Sequence, residues 1–239
     1  MSVLTPQQQI EWFRTEAEAF GRVLESGDLD TPVPACPGWT LTDLTAHLGG
    51  IHRWARGAIL TGPGSDTYPI PAGRAAIVDW FAEGAGALHE TLSASDPAAP
   101  CWAFAEPRVV GFWMRRQAHE TCVHRWDAES SQGTPGPIDA MLALDGIHEV
   151  VDMFFPRQVR LGRIPPLARS LSLIPDEGEG RGLAGDGTPA GREWDATLAG
   201  PAEALVLLLW GRAVVDDPRL RLAGSRAAAE EVLGAGITP

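Results

Sequence analysis

At 239 residues the chain is long enough for one large domain or two of ordinary size, and its 44% hydrophobic and 21% charged residues suit a globular fold. Its net charge of −12 excludes a sequence-independent hold on nucleic acid and adhesion to an anionic membrane, since both need a basic surface. All 19 basic residues are arginine, so no internal lysine exists for Schiff-base chemistry.

The pattern Ile10, Phe13, Phe20, Leu24 predicts a first helix over 6–26, with Pro6 in its first turn and Gly27 at its stop. A proline-rich connection, Asp30-Thr-Pro-Val-Pro-Ala-Cys-Pro-Gly-Trp39, leads to Thr40. With Asp43 that threonine forms a T-x-x-D capping pattern. The second helix buries Leu41, Leu44, Leu48, Ile51 and Ala55, and Gly49 and Gly50 permit a close helix neighbour. His47 lies about 60° from Leu44 and about 40° from Ile51, whereas His52 is about 140° further round. The expectation is that His47 faces in and His52 faces elsewhere.

After a Gly/Pro loop (61–71), residues 74–94 predict a third helix. A fourth carries Trp113 to Trp126 and ends at Ser130-Ser-Gln-Gly133. A fifth starts at Pro137 and is stopped by Pro156. Five amphipathic helices without a strand before residue 160 predict an up-down helical bundle over 1–158. Beyond Pro165-Pro166 the pattern changes. Ser170–Ile174 and Glu193–Leu198 alternate like strands, with Trp194, Ala196 and Leu198 on one face, around an acidic Gly-rich loop, 175–192, too poor in apolar residues to pack. An apolar helix (202–215), a short strand (219–224) and a last helix (225–233) complete a small α+β domain over 164–239.

Glu120 and His124 lie one turn apart, on the face of Gln117 and Asp127, so both heads can reach one point. With His47 from the second helix they make two imidazoles and a carboxylate, a donor set suited to Zn²⁺ or a similar divalent ion. Three protein ligands leave the open position of a catalytic site, at a net charge near +1. The competing readings are a core histidine at 47 and a solvated i,i+4 pair at 120 and 124. Arg212, after a buried helix, is either a charge at the helix end or an anion clamp. Cys122 points away from Glu120 and is expected to be packed.

Three stretches carry a resemblance, in the same order along most of the chain: Cys36-Pro-Gly-Trp-Thr-Leu-Thr-Asp-Leu-Thr-Ala-His-Leu-Gly-Gly50, His119-Glu-Thr-Cys-Val-His-Arg-Trp-Asp-Ala128 and Leu208-Leu-Trp-Gly-Arg212. They resemble the mycothiol-dependent maleylpyruvate isomerase family. The resemblance implies a DinB-like metal-binding bundle followed by a small domain similar to sterol carrier proteins. It further implies a divalent metal, typically zinc, on His47, Glu120 and His124, with mycothiol as the thiol cofactor. An essential arginine of the C-terminal domain best matches Arg212, with Arg219 and Arg221 as other placements. No thiol-contacting residue carries over.

The chemistry so implied is a metal-held thiolate meeting an electrophilic small molecule, giving S-transfer or cis–trans isomerisation. Two other functions fit the residues. One is a metal-dependent hydrolase with Asp127 as base; the other is a non-catalytic module binding an apolar ligand. The odd number of cysteines (Cys36, Cys101, Cys122) without C-x-x-C spacing, the want of a leader-like start and the want of a spanning apolar run predict a cytoplasmic protein, and a monomer or homodimer is expected.

Overall fold

The computed structural model describes residues 3–64, 67–187 and 193–239. It divides into two compact units, Thr5–Pro137 and Ile138–Pro239, the latter joined by the extreme N-terminus, Met1–Leu4.

The first unit is a four-helix bundle: α1 (Pro6–Ser26), α2 (Leu41–Leu60), α3 (Arg74–Ala94) and α4 (Val110–Ser131). Local signals set the starts of the first two helices. Thr5 and Thr40 are N-caps, and in each the residue three positions on, Gln8 or Asp43, reaches back to the cap backbone N–H. Phe13, Phe20, Leu44, Leu48, Phe81, Leu88 and Trp113 fill the core. Gly49 allows α3 to approach, because a Cβ there would fall 2.3 Å from the Trp80 ring. Gly50 has open space instead, so only one of the two glycines has that reason to be small.

The two histidines of α2 exchange the environments expected of them. His52 is completely buried, edge-on to Phe13 at 5.1 Å, with its Nε2 3.0 Å from the Thr121 hydroxyl of α4. His47 keeps a third of its side chain exposed. Leu41, Leu44, Leu48 and Ala55 define an inward face centred about 90° from His47 but only about 50° from His52.

The second unit is α+β. It begins with α5 (Ala140–Glu149), capped by Asp139, whose carboxylate accepts from the Met141 and Leu142 N–H groups. The helix does not stop at Pro156: it passes through a π-helical turn, Val150–Phe154, into α6 (Phe155–Arg160). The proline sits in the first turn of α6, directly after the π-helical turn. Strands β1 (Leu167–Pro175), β2 (Arg181–Gly185), β3 (Ala196–Gly200) and β4 (Arg221–Gly224) form one sheet in the order β2-β1-β3-β4. The central pair, β1 and β3, is parallel, with Leu171 beside Ala196 and Leu173 beside Leu198; the outer pairs are antiparallel. These four residues and Leu183 of β2 are fully buried on one face. Helices α7 (Ala202–Leu209) and α8 (Arg226–Leu233) complete the unit.

Three expectations are revised. The fifth helix packs on α7 in the second unit, so the chain divides after Pro137 and not at 158–164. The segment 175–192 contains β2, because Leu183 reaches the core and the ladder to β1 supplies the rest; its residues 188–192 lie outside the described ones. Trp194 precedes β3, is 38% exposed and does not share the buried face of Ala196 and Leu198. Among the described residues, no helix is long and apolar enough to cross a membrane.

Burial lowers the pKa of His52 to about 3, against 6.5 for the free side chain. Unfolding therefore takes up a proton in the window between these values. Stability is full above pH 6.5 and falls as pH drops toward 3, by at most about 1.4 kcal/mol per pH unit. Denaturant unfolding of His52→Leu at pH 7.5 and 5.0 should show a weaker loss on acidification than the parent protein shows.

Candidate metal centre

Helix α4 supplies two donors and α2 the third. Glu120 Oε1 stands 3.4 Å from His47 Nε2 and 3.4 Å from His124 Nε2, and the three residues bring their ligand atoms within 4.8 Å of one another. A tetrahedral ion with bonds of about 2.0–2.1 Å holds its donors about 3.3–3.4 Å apart, so the two measured separations fit such an ion. Exposure is graded across the trio: 33% for the His47 side chain, 19% for Glu120 and 13% for His124. The access side is therefore that of His47.

Each α4 ligand is oriented from behind. Arg116, buried one turn before Glu120, donates through Nη2 to Glu120 Oε2 at 2.7 Å and leaves Oε1 for the histidines. Asp127, fully buried one turn after His124, lies 2.9 Å from His124 Nδ1. A proton on Nδ1 donated to that carboxylate leaves the Nε2 lone pair facing the cluster, as an imidazole ligand requires. Burial works against a charge on Glu120, but Arg116 and the two histidines override it and hold the carboxyl well below its usual range. On His124 burial disfavours the cation, while Asp127 and Glu120 more than offset it and raise the pKa to about 9.

The proline-rich connection before α2 closes over this side of the bundle. Val33 N–H donates to Trp39 C=O at 2.9 Å, and Cys36 and Trp39 sit on the loop so formed. The Trp39 ring lies 5.0 Å from the His47 ring. The Cys36 thiol is 3.8 Å from Asp127 Oδ2, and Cys36, His124 and Asp127 make a second convergent donor set that shares His124. Gln117, on the same face of α4, is buried, and its Oε1 has no hydrogen-bond partner among the described residues.

The candidates named from sequence are placed as follows. His47, Glu120 and His124 converge. Asp127 is an orienting partner and is unavailable as a free base. The Cys122 thiol is buried, and desolvation pushes its pKa well above the usual value, so it is no nucleophile. In the second unit, Arg212 follows α7 and donates to the Trp210 carbonyl at 2.6 Å. Arg219 pairs with Asp217 and Arg221 with Asp176, each at 2.7 Å. Arg116 escaped sequence reading, although 116, 120, 124 and 127 repeat at helical spacing on one face and could have marked it.

A family model described as the mycothiol maleylpyruvate isomerase N-terminal domain matches residues 10–129, and one for the C-terminal domain of the same family matches residues 141–231. The chain belongs to the mycothiol maleylpyruvate isomerase family. Two solved structures, of the mycothiol-dependent maleylpyruvate isomerase and of a histidine-to-alanine mutant of it, are similar in fold. Each has a TM-score of 0.67 and covers 92% of this chain and 93% of its own, at 13% and 12% identity. A search of curated protein sequences gives no match.

The protein purified with zinc should hold about one equivalent of metal by elemental analysis. His47→Ala and His124→Ala should lose it and His52→Ala keep it, while Asp127→Asn should weaken affinity by about 10–100-fold. Because His124 of the metal-free protein carries its proton up to about pH 9, binding displaces that proton. Affinity measured against a chromophoric chelator should then climb about tenfold per pH unit from 7 until it levels near 9.

Proposed function

We propose that the protein is a metal-dependent enzyme that uses a low-molecular-weight thiol, mycothiol, against an electrophilic small molecule, giving cis–trans isomerisation or S-transfer. His47, Glu120 and His124 would hold the ion, and two neutral imidazoles with one carboxylate favour zinc. The observation that carries the reading is the convergence of these donors, each α4 ligand backed by a buried partner and the His47 side open. When bound, such an ion lowers the pKa of a coordinated thiol from about 8.5, so that thiolate is present at neutral pH.

The chain's own residues do the rest. Arg116 fixes which oxygen Glu120 offers, and Asp127 fixes which nitrogen His124 offers. The open edge at His47 gives thiol and electrophile a way in. Arg212 is the proposed holder of the substrate's carboxylate or developing enolate, the task that a guanidinium fork performs in two-point contact. Arg212 is preferred because it closes the stretch Leu208-Leu-Trp-Gly-Arg212 that carries the family resemblance, with Arg219 and Arg221 as the other placements. A hydrolase would need a base beside a metal-activated water, and Asp127, the obvious one, is committed to His124. That commitment favours the thiol reading, as does the mycothiol dependence for which the family and its structural neighbours are named. None of the three cysteines is in a disulfide, which suits the proposed cytoplasmic setting.

The test is mass spectrometry and ultraviolet spectroscopy of zinc-loaded protein incubated with mycothiol and a panel of α,β-unsaturated acids. Isomerised acid or thiol adduct should form only when both metal and mycothiol are present. Arg212→Ala should lower kcat/KM by about 100-fold, the cost of losing one donor to a developing oxyanion. Turnover at the same rate without thiol would overturn the proposal.

A further inference from the structure

Beside the metal ligands the bundle carries an aromatic surface that the chemistry above does not use. On α2, His47, Ile51 and Trp54 follow one another at spacings of four and three, within about 60° of arc, so they form a single strip along the helix. All three are half-buried, while Leu44, Leu48, His52 and Ala55 beside them are fully buried. Seven residues at 1.5 Å each put Trp54 about 10 Å along the axis from His47.

Trp54 is not alone there. The connection between α3 and α4 folds back on itself through a bridge between Pro100 and Val109 and brings two more half-buried rings against it. Phe104 lies nearly parallel to Trp54 (13°, 6.3 Å) and Trp102 edge-on to it (5.8 Å). The fully buried Trp113 of α4 anchors the group, its indole N–H donating to the Trp102 carbonyl at 2.7 Å while its ring meets Trp54 at 5.0 Å. The rings are thus held from two helices and a pinned loop. They remain partly open to solvent, in line with the open edge of the metal site. Partly exposed aromatic surface so ordered, and continuous with a ligand-binding residue, is a recognition feature more than a packing one.

We propose that the strip from His47 through Ile51 to Trp54, Trp102 and Phe104 is the substrate's binding wall, and that the electrophile carries an aromatic ring next to its conjugated acid group. This rests on the proposed function for the word electrophile, but the ring-binding wall stands independently of the thiol chemistry. Planar rings are matched by stacked and edge-on indoles, whereas a short aliphatic acid confined to the metal end would leave the wall unused.

Trans-cinnamic and crotonic acids share the conjugated acid group and differ by a phenyl ring. Their binding to zinc-loaded protein, by isothermal titration calorimetry without any thiol, tests the wall with no turnover. Cinnamate should bind about tenfold more tightly than crotonate, an advantage of the size expected for part-burial of one ring. Trp54→Ala should reduce the advantage to about twofold or less, and Trp54→Leu, kept as a better-packed variant, should reduce it partly; circular dichroism checks that each is folded. Trp126→Ala, on the far side of α4, should leave it intact. His47→Ala should weaken both acids and preserve their ratio. Equal affinities in the parent protein, or an advantage undiminished in folded Trp54→Ala and Trp102→Ala, overturns the inference while leaving the thiol reading in place. Failure of mycothiol-dependent turnover with the ratio intact does the reverse.

Discussion

A single carboxylate oxygen, Glu120 Oε1, sits 3.4 Å from two histidine nitrogens that arrive from different helices. That position holds only because the other oxygen is taken. A carboxylate left to itself among histidines would rotate between them, and the buried guanidinium of Arg116 removes that freedom. Desolvating this charge would be costly without Arg116, since an unpaired buried ion loses several kcal/mol of hydration. The pair therefore solves two problems at once, keeping the ligand ionised and keeping it aimed. Most of helix α4 is buried, and it carries polar side chains that a core helix ordinarily lacks.

The position of His47 on α2 depends on a different constraint, the register of α2 against α4. The fully buried His52 meets Thr121, the residue immediately after Glu120, while His47 meets Glu120 itself. Trp54 meets Trp113 further along. The contacts of His47 with Glu120 and of Trp54 with Trp113 run in opposite senses on the two helices, as antiparallel neighbours require, and with that of His52 they fix the axial offset. Gly49 adds the sideways fit by admitting Trp80 of α3. A slip of one residue in α2 would turn His47 by about 100° and break the cluster. Packing here is the means by which the candidate donors are brought together from two distant parts of the chain.

Most of the bundle could be read from sequence because its signals are local. The capping pairs at Thr5 and Thr40 and the apolar spacing of α1 and α3 need no knowledge of what they pack against. Glu120 and His124 were visible for the same reason, as neighbours one turn apart. Weighed against Leu44 and Ile51 alone, His47 faces inward. Set against all four fully buried aliphatic positions of α2, it lies at the edge of the buried face, within reach of α4 and of solvent, and His52 lies nearer its centre. What could not be read was tertiary. Strand β2 has little apolar content beyond Leu183 and Ala184 and exists through its ladder with β1. Helix α5 looks like a bundle helix by periodicity, and only its partner α7 assigns it to the second unit. Pro156 looks like a stop unless the chain can restart a helix in the same direction, which the π-helical turn permits.

The absence of lysine, at first a remark on composition, has a consequence at Arg116. A buried ammonium can surrender its proton to relieve its own desolvation, and a lysine there could shed its charge in step with its surroundings. A guanidinium keeps its proton across the whole physiological range. The anchor behind Glu120 is thus a fixed electrode, not an adjustable one. Any response of the centre to acidity has to be written on its histidine side.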